Sequence, residues 1–260
     1  VNMNAVQLFV GQKRVNGAKN EGGAGVYLNA GNKSQINLGE VYVLAAGNSV
    51  RGIVAESGSI SQTDSGRSNY TDKLVVITGA TYSEYESGKT CFPRSIDSYT
   101  NAFVADNPLV AATTSSSGSH GVYSAGGSIT LNSAFVAQFS ANAAGVYSSG
   151  GSITVADAFD VFVNIAENTR TTNVLATTAV SVEENTVNSE TAALTFDGDV
   201  DIRTDGLGIT ARGGATIRVF GDLDMVSTRG TGIYVNNGNL TLGSEKSPNT
   251  VNITTTIDKD

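Results

Sequence analysis

The sequence predicts an all-β chain wound as a right-handed parallel β-helix, a β-solenoid, on three observations: an internal duplication, a composition poor in helix formers, and one strand register that recurs along the chain. The duplication is explicit. Gly121-Val122-Tyr123-Ser124-Ala125-Gly126-Gly127-Ser128-Ile129-Thr130-Leu131 returns as Gly145-Val146-Tyr147-Ser148-Ser149-Gly150-Gly151-Ser152-Ile153-Thr154-Val155, an offset of 24 residues. A fixed period of this size marks units that bury their apolar faces only by stacking on neighbours. The 260 residues include 30 Gly, 3 Pro and no Trp, with 40% hydrophobic and 15% charged side chains. That balance is too apolar for disorder, and no 3.6-residue apolar period is sustained, so strands follow.

The elements follow in order. Residues 1–24, with Val6, Leu8 and Val10, suit a cap or a partial coil. Units then open at Gly25-Val26-Tyr27-Leu28 with Ile36-Asn37-Leu38, and at Gly52-Ile53-Val54-Ala55 with Ile60. Leu74-Val75-Val76-Ile77 reads as a buried strand, 79–101 as an irregular loop insertion, and Ala102-Phe103-Val104-Ala105 as part of another coil. After the duplicated units come Ala179-Val180-Ser181-Val182 with Leu194-Thr195-Phe196, Gly208-Ile209 with Ile217-Arg218-Val219, and Gly232-Ile233-Tyr234-Val235 with Leu240-Thr241-Leu242. Alternation then assigns faces, because successive strand side chains point opposite ways. Val122, Val146, Ile209 and Ile233 point in from the first strand; Ile129, Ile153, Ile217 and Leu240 from the second. One offset places Phe135, Phe159, Val200 and Leu223 in register on the third. About eight coils of roughly 24 residues, each advancing ~4.8 Å, give a single domain about 35–40 Å long.

Charge narrows the partners. A net charge of -8 and a pI near 4.7 lack the basic stripe that nucleic acid or anionic lipid requires. No apolar run reaches the ~20 residues of a membrane-spanning helix. The single cysteine, Cys91, excludes an internal disulfide and reads as a half-buried free thiol. Val1 at one end and an unclosed last strand at the other read as a stretch of a longer polypeptide.

The outward columns hold the candidate binding residues. Tyr27, Tyr123, Tyr147 and Tyr234 share one column, and Tyr123 with Tyr147 on adjacent coils either brace the sheet or form an aromatic platform. Thr130, Thr154, Thr195 and Thr241 make a structural threonine column. Asp160, Asp201 and Asp224 line up on the third strand, with Asp199 and Asp222 beside them. They form a solvated acidic face, or else Asp199, Asp201, Asp222 and Asp224 hold a divalent cation such as calcium. The EF-hand pattern is not met, and no cofactor is expected. The 79–101 insertion concentrates Tyr82, Tyr85, Phe92, Arg94 and Tyr99, and loops on rigid scaffolds are where recognition residues gather. His120, the one histidine, reads as a turn residue. No nucleophile elbow, zinc motif or phosphate loop appears, so the chain is not expected to be an enzyme.

The segment Gly221-Asp222-Leu223-Asp224, the run from Gly232-Ile233-Tyr234-Val235 to Leu240-Thr241-Leu242-Gly243, and the Gly208-Ile209 and Gly121-Val122-Tyr123 units resemble the passenger domain of a bacterial autotransporter (type V secretion), of the adhesin-like kind. The resemblance covers most of 25–256. It implies export and display at the bacterial cell surface, with attachment through a C-terminal barrel outside this sequence, and it carries no fixed site residues. The leading expectation is therefore an adhesin binding a host or bacterial surface protein or glycan, with self-association also compatible. The alternatives are a non-binding β-helical stalk that presents another module, and a polysaccharide lyase or glycosidase using the clustered aspartates beside Arg203.

Overall fold

The computed structural model describes residues 1–3, 6–11, 21–31, 33–39, 41–46, 48–62, 73–80, 119–138, 143–163, 177–184, 191–228, 230–244 and 249–256. Among them are twenty-one strands and no helix. The strands, numbered in chain order, form a 13-stranded and an 8-stranded sheet. They fall into three columns of parallel neighbours.

The first column runs β3 (Glu21–Leu28), β6 (Asn48–Ala55), the first half of β9 (His120–Leu131), the first half of β11 (Ala144–Val155), β13 (Thr178–Glu183), β16 (Leu207–Arg212) and β19 (Ile233–Asn236). The second runs β1 (Asn2–Met3), β4 (Gln35–Leu38), β7 (Ser59–Gln62), the second halves of β9 and β11, β14 (Ala193–Phe196), β17 (Thr216–Val219) and β20 (Asn239–Leu242). The third, the 8-stranded sheet, runs β2 (Val6–Gly11), β5 (Val41–Ala46), β8 (Lys73–Ala80), β10 (Ser133–Gln138), β12 (Phe159–Val163), β15 (Val200–Thr204), β18 (Leu223–Ser227) and β21 (Val251–Thr255).

The core lies between the columns and is built from the alternation. Ile53, Val122, Val146, Val180 and Ile209 stack in register on the first column, and Ile36, Ile60, Ile129, Ile153, Leu194 and Ile217 on the second, all buried. Each such side chain contributes roughly 1.5–3 kcal/mol relative to exposure. Phe159 and Phe196, among the largest fully buried side chains, pack with ring centroids 5.0 Å apart. The threonine column is present as expected, with Arg218 between Thr195 and Thr241.

The recurrent glycine that opens a unit has a packing cause. A Cβ at Gly25, Gly121, Gly145, Gly208 or Gly232 would press into a third-column side chain, respectively Val43, Val136, Val161, Met225 or Ile253. For Gly25, Gly121, Gly145 and Gly208 it would also press into the backbone carbonyl of the neighbouring strand. The first and third columns meet so closely at this corner that most layers leave no room for a methyl group.

One expectation is corrected. Phe135 is not level with Phe159: Ala134 pairs Phe159, and Phe135 pairs Asp160. The step from second to third strand is one residue shorter in that unit, because Ile129 pairs Ile153 while Ala134 pairs Phe159. A one-residue change moves a side chain to the other face, yet Phe135 is still only 2% exposed. The additional coil expected at Ala102-Phe103-Val104-Ala105 lies outside the described residues. β6 pairs directly with β9, β7 with β9, and β8 with β10. At the other end, β1 and β2 pair with β4 and β5, so residues 2–11 supply the second and third strands of a unit.

Candidate functional site

The outward face of the first column is built by the same alternation that fills the core. Tyr27, Val54, Tyr123, Tyr147, Ser181, Thr210 and Tyr234 occupy one register position on successive strands. In-register parallel neighbours stack when aromatic. The Tyr123 and Tyr147 rings do so, with centroids 5.4 Å apart and planes within 5°.

Charged side chains two or three positions away on neighbouring strands close over this column. The Arg51 guanidinium carbon lies 4.6 Å from the Tyr123 centroid. β6 flanks β9 on one side and β11 on the other, so Arg51 and Tyr147 cover opposite faces of Tyr123. Arg51 pairs with Glu56 at 3.9 Å. Glu56 in turn accepts hydrogen bonds from the Tyr27 hydroxyl at 2.8 Å and Asn29 Nδ2 at 2.9 Å. Tyr123 Oη and Ser149 Oγ are 3.1 Å apart. Tyr147 is hydrogen-bonded to Glu183, and its phenol is pushed up to about 12, first by burial and then by the Glu183 charge. Further along, Arg212 lies 5.5 Å from the Tyr234 centroid.

A stack of this kind turns ring faces toward one another and ring edges toward water. The two faces of Tyr123 are therefore already occupied, which suits the bracing role of the pair better than a sugar platform. Tyr27 and Tyr234, 51% and 40% exposed, are the open rings of the column.

His120 is not a plain turn residue. It opens β9, with its ring 4.9 Å from Tyr147 and 5.4 Å from Tyr123. The Ala144 amide hydrogen is shared between the Ser119 carbonyl and His120 Nδ1, each at 3.3 Å. Withdrawal from water, and then the Arg51 guanidinium, lower the imidazole pKa from 6.5 to about 4. The sequence reading also passed over Arg51, Glu56, Glu183 and Arg212. Arg51 pairs His120 in register, and Glu183 pairs Arg212, so extending the same register three positions before and two after the tyrosine column finds most of the set.

On the third column, Asp160, Asp201 and Asp224 share a register position as expected, followed by Asn252. They line an open depression of about 280 Å³ with Asp199 and Asp222. Each described partner is already supplied from within the fold. Arg203 pairs with Asp201 at 3.0 Å and with Asp224 at 3.1 Å. Asp199 accepts the Asp222 amide at 2.9 Å, and Asp222 accepts the Thr250 amide at 2.7 Å. This is a carboxylate ladder that satisfies turn amides and one guanidinium. Burial, opposed by Arg203 and reinforced by Asp224, raises the Asp201 carboxyl above its ordinary 3.8. Among the described residues no three His, Cys, Asp or Glu side chains are grouped to hold a metal ion.

Tyr82, Tyr85, Phe92, Arg94 and Tyr99, together with Cys91, lie outside the described residues. No described helix is long and apolar enough to cross a membrane. Compared with known proteins, the chain matches no family model, no curated protein sequence and no solved structure.

Proposed function

We propose that the chain is a right-handed parallel β-helix acting as the scaffold of a surface-displayed adhesin, similar to autotransporter passengers, and that residues 81–118 carry its recognition surface. The carrying observation is the continuity of the ladder across that segment. β8 ends at Ala80 and β9 begins at His120, yet β8 pairs β10 and β6 pairs β9 in unbroken register. The described strands on either side stack directly on one another, as they do where a scaffold carries an inserted segment. The partner of such a surface is a host or bacterial surface protein or glycan.

A second reading has its own support. The faces of Tyr123 and the carboxylates of Asp199, Asp201 and Asp224 are taken up by internal partners, which suits a stalk that presents another module. One experiment separates the two. The link from Gln138 to Ala144 crosses the same corner with residues 139–143, so a linker of about five residues replaces 81–118 without stretching the chain. The adhesin reading expects the replaced chain to keep its β-type circular dichroism and to lose binding to cells and to a glycan array. Undiminished binding refutes the assignment to 81–118. A parent chain that binds neither cells nor glycans supports the stalk.

A further inference from the structure

We propose that His120 is an acid-sensitive latch, holding the start of β9 against β11 at the point where residues 81–118 rejoin the ladder. The inference rests on the described strands alone and stands whether or not the chain is an adhesin.

The geometry defines the neutral state. His120 Nδ1 faces the Ala144 amide hydrogen, a contact that is attractive only while that nitrogen carries no proton. The ring packs against Tyr147 and Tyr123, and Arg51, its register partner on β6, lies against the same Tyr123 ring. The groups that face the imidazole are thus Arg51 from β6, Tyr123 from its own strand, and Tyr147 with the Ala144 amide from β11. The carboxylates of the neighbourhood are held elsewhere, Glu56 by Arg51, Tyr27 and Asn29, and Glu183 by Tyr147.

Protonation acts against the Ala144 and Arg51 contacts. It turns Nδ1 from an acceptor into a donor pointing at another donor. It also sets a second cation beside Arg51 in a partly covered site. The imidazolium is relieved by water, and the ring reaches water when the first residues of β9 leave β11. Burial and then the Arg51 guanidinium displace the imidazole pKa downward to about 4, against the Ala144 backbone hydrogen bond, which acts in the opposite direction. The same residues anchor the segment's return: Ser119 Oγ accepts the Val50 amide at 3.2 Å, and its carbonyl accepts the Ala144 amide at 3.3 Å. Opening there frays the first residues of β9 from β11 and leaves the aliphatic core columns in place.

The test uses the intact chain. Because it contains one histidine, proton NMR of the imidazole follows a single titration, with an expected midpoint about 4. A midpoint at the free-histidine value of about 6.5 overturns the proposal. Hydrogen exchange, corrected for intrinsic rates, is then compared at pH 6.5 and pH 3.5 in peptides covering 119–125 and 143–148. The parent is expected to lose at least tenfold protection in both peptides, while 207–227 changes little. His120→Phe, which keeps a stacked ring and cannot titrate, is expected to abolish the difference. Equal loss in parent and His120→Phe, or no loss in the parent, overturns the latch. If His120→Phe does not fold, His120→Gln, which cannot titrate, makes the same comparison.

Discussion

Replacing Gly145 by alanine tests the close corner between the first and third columns. A methyl group at Gly145 would lie 2.7 Å from Val161 Cγ1 and 2.8 Å from the Ala179 carbonyl oxygen. Ordinary carbon contacts are about 3.5–4.0 Å, so one of the two neighbours must retreat by close to 1 Å. Neither retreats easily. Val161 is buried and β-branched, with one favoured rotamer, and Ala179 belongs to the adjacent strand of the ladder. Overpacking of this kind costs about 1–3 kcal/mol, from which the stiffer unfolded chain returns ~0.4–1 kcal/mol. The expected net loss is about 1–2 kcal/mol, or roughly 2–8 °C in Tm for a chain near this size. Ala179 occupies the corresponding position one layer on, where a methyl group is accommodated with 0% exposure. Ala179→Gly should cost about 1–2 kcal/mol, from backbone freedom and the lost burial of one methyl group. Urea unfolding followed by circular dichroism and by tyrosine fluorescence, with coincident transitions required, measures both variants. A Gly145→Ala chain as stable as its parent would refute the claim that the glycine column is set by packing.

Three further outcomes are expected. Phe159→Ala removes a fully buried ring that packs on Phe196 and should lose about 3–5 kcal/mol in the same unfolding assay. Tyr147→Phe deletes the hydrogen bond to Glu183 and should cost about 1 kcal/mol at pH 7. In the parent, absorbance at 295 nm should show this phenol ionising about 12, after the unfolded chain's tyrosines at 10.0, so stability falls as pH rises through that window. Asp201 carries a carboxyl raised above 3.8 by burial. The folded state then holds that proton more tightly than the unfolded state, and its contribution to stability declines as pH climbs from 3.8 through the raised value. Asp201→Asn should flatten this part of the stability profile, measured by urea midpoints between pH 3 and pH 7.

The ladder was legible in the sequence wherever strands kept their alternation and the turn between them kept its length. Val122, Val146 and Ile209 stand where the period of two places them, as do Tyr123 over Tyr147 and Asp160, Asp201 and Asp224 in one column. Phe135 was misplaced because a turn shortened by one residue leaves no mark in composition, while it shifts every side chain that follows. A short apolar run records only that a strand is compatible there, whereas the joint between β6 and β9 depends on groups such as Val50 and Ser119, which are 69 apart. The candidate face was half legible. The tyrosines announce themselves by repetition, but Arg51, His120, Glu183 and Arg212 occur once each, and their roles arise from side chains that reach across strands.

The unbroken pairing across residues 81–118 also bears on how the chain assembles. Within the duplicated units, neighbouring layers join residues such as His120 and Ala144, 24 apart, while the β6–β9 joint must gather residues 69 apart. Closing the longer loop costs about 1 kcal/mol more. Layers β1–β8 and β9–β21 each propagate through near neighbours, as repeat arrays do, and meet at this one seam. The chain should thus nucleate twice and join once, and the seam, with the slowest closure, is where pulling or warming first divides the stack.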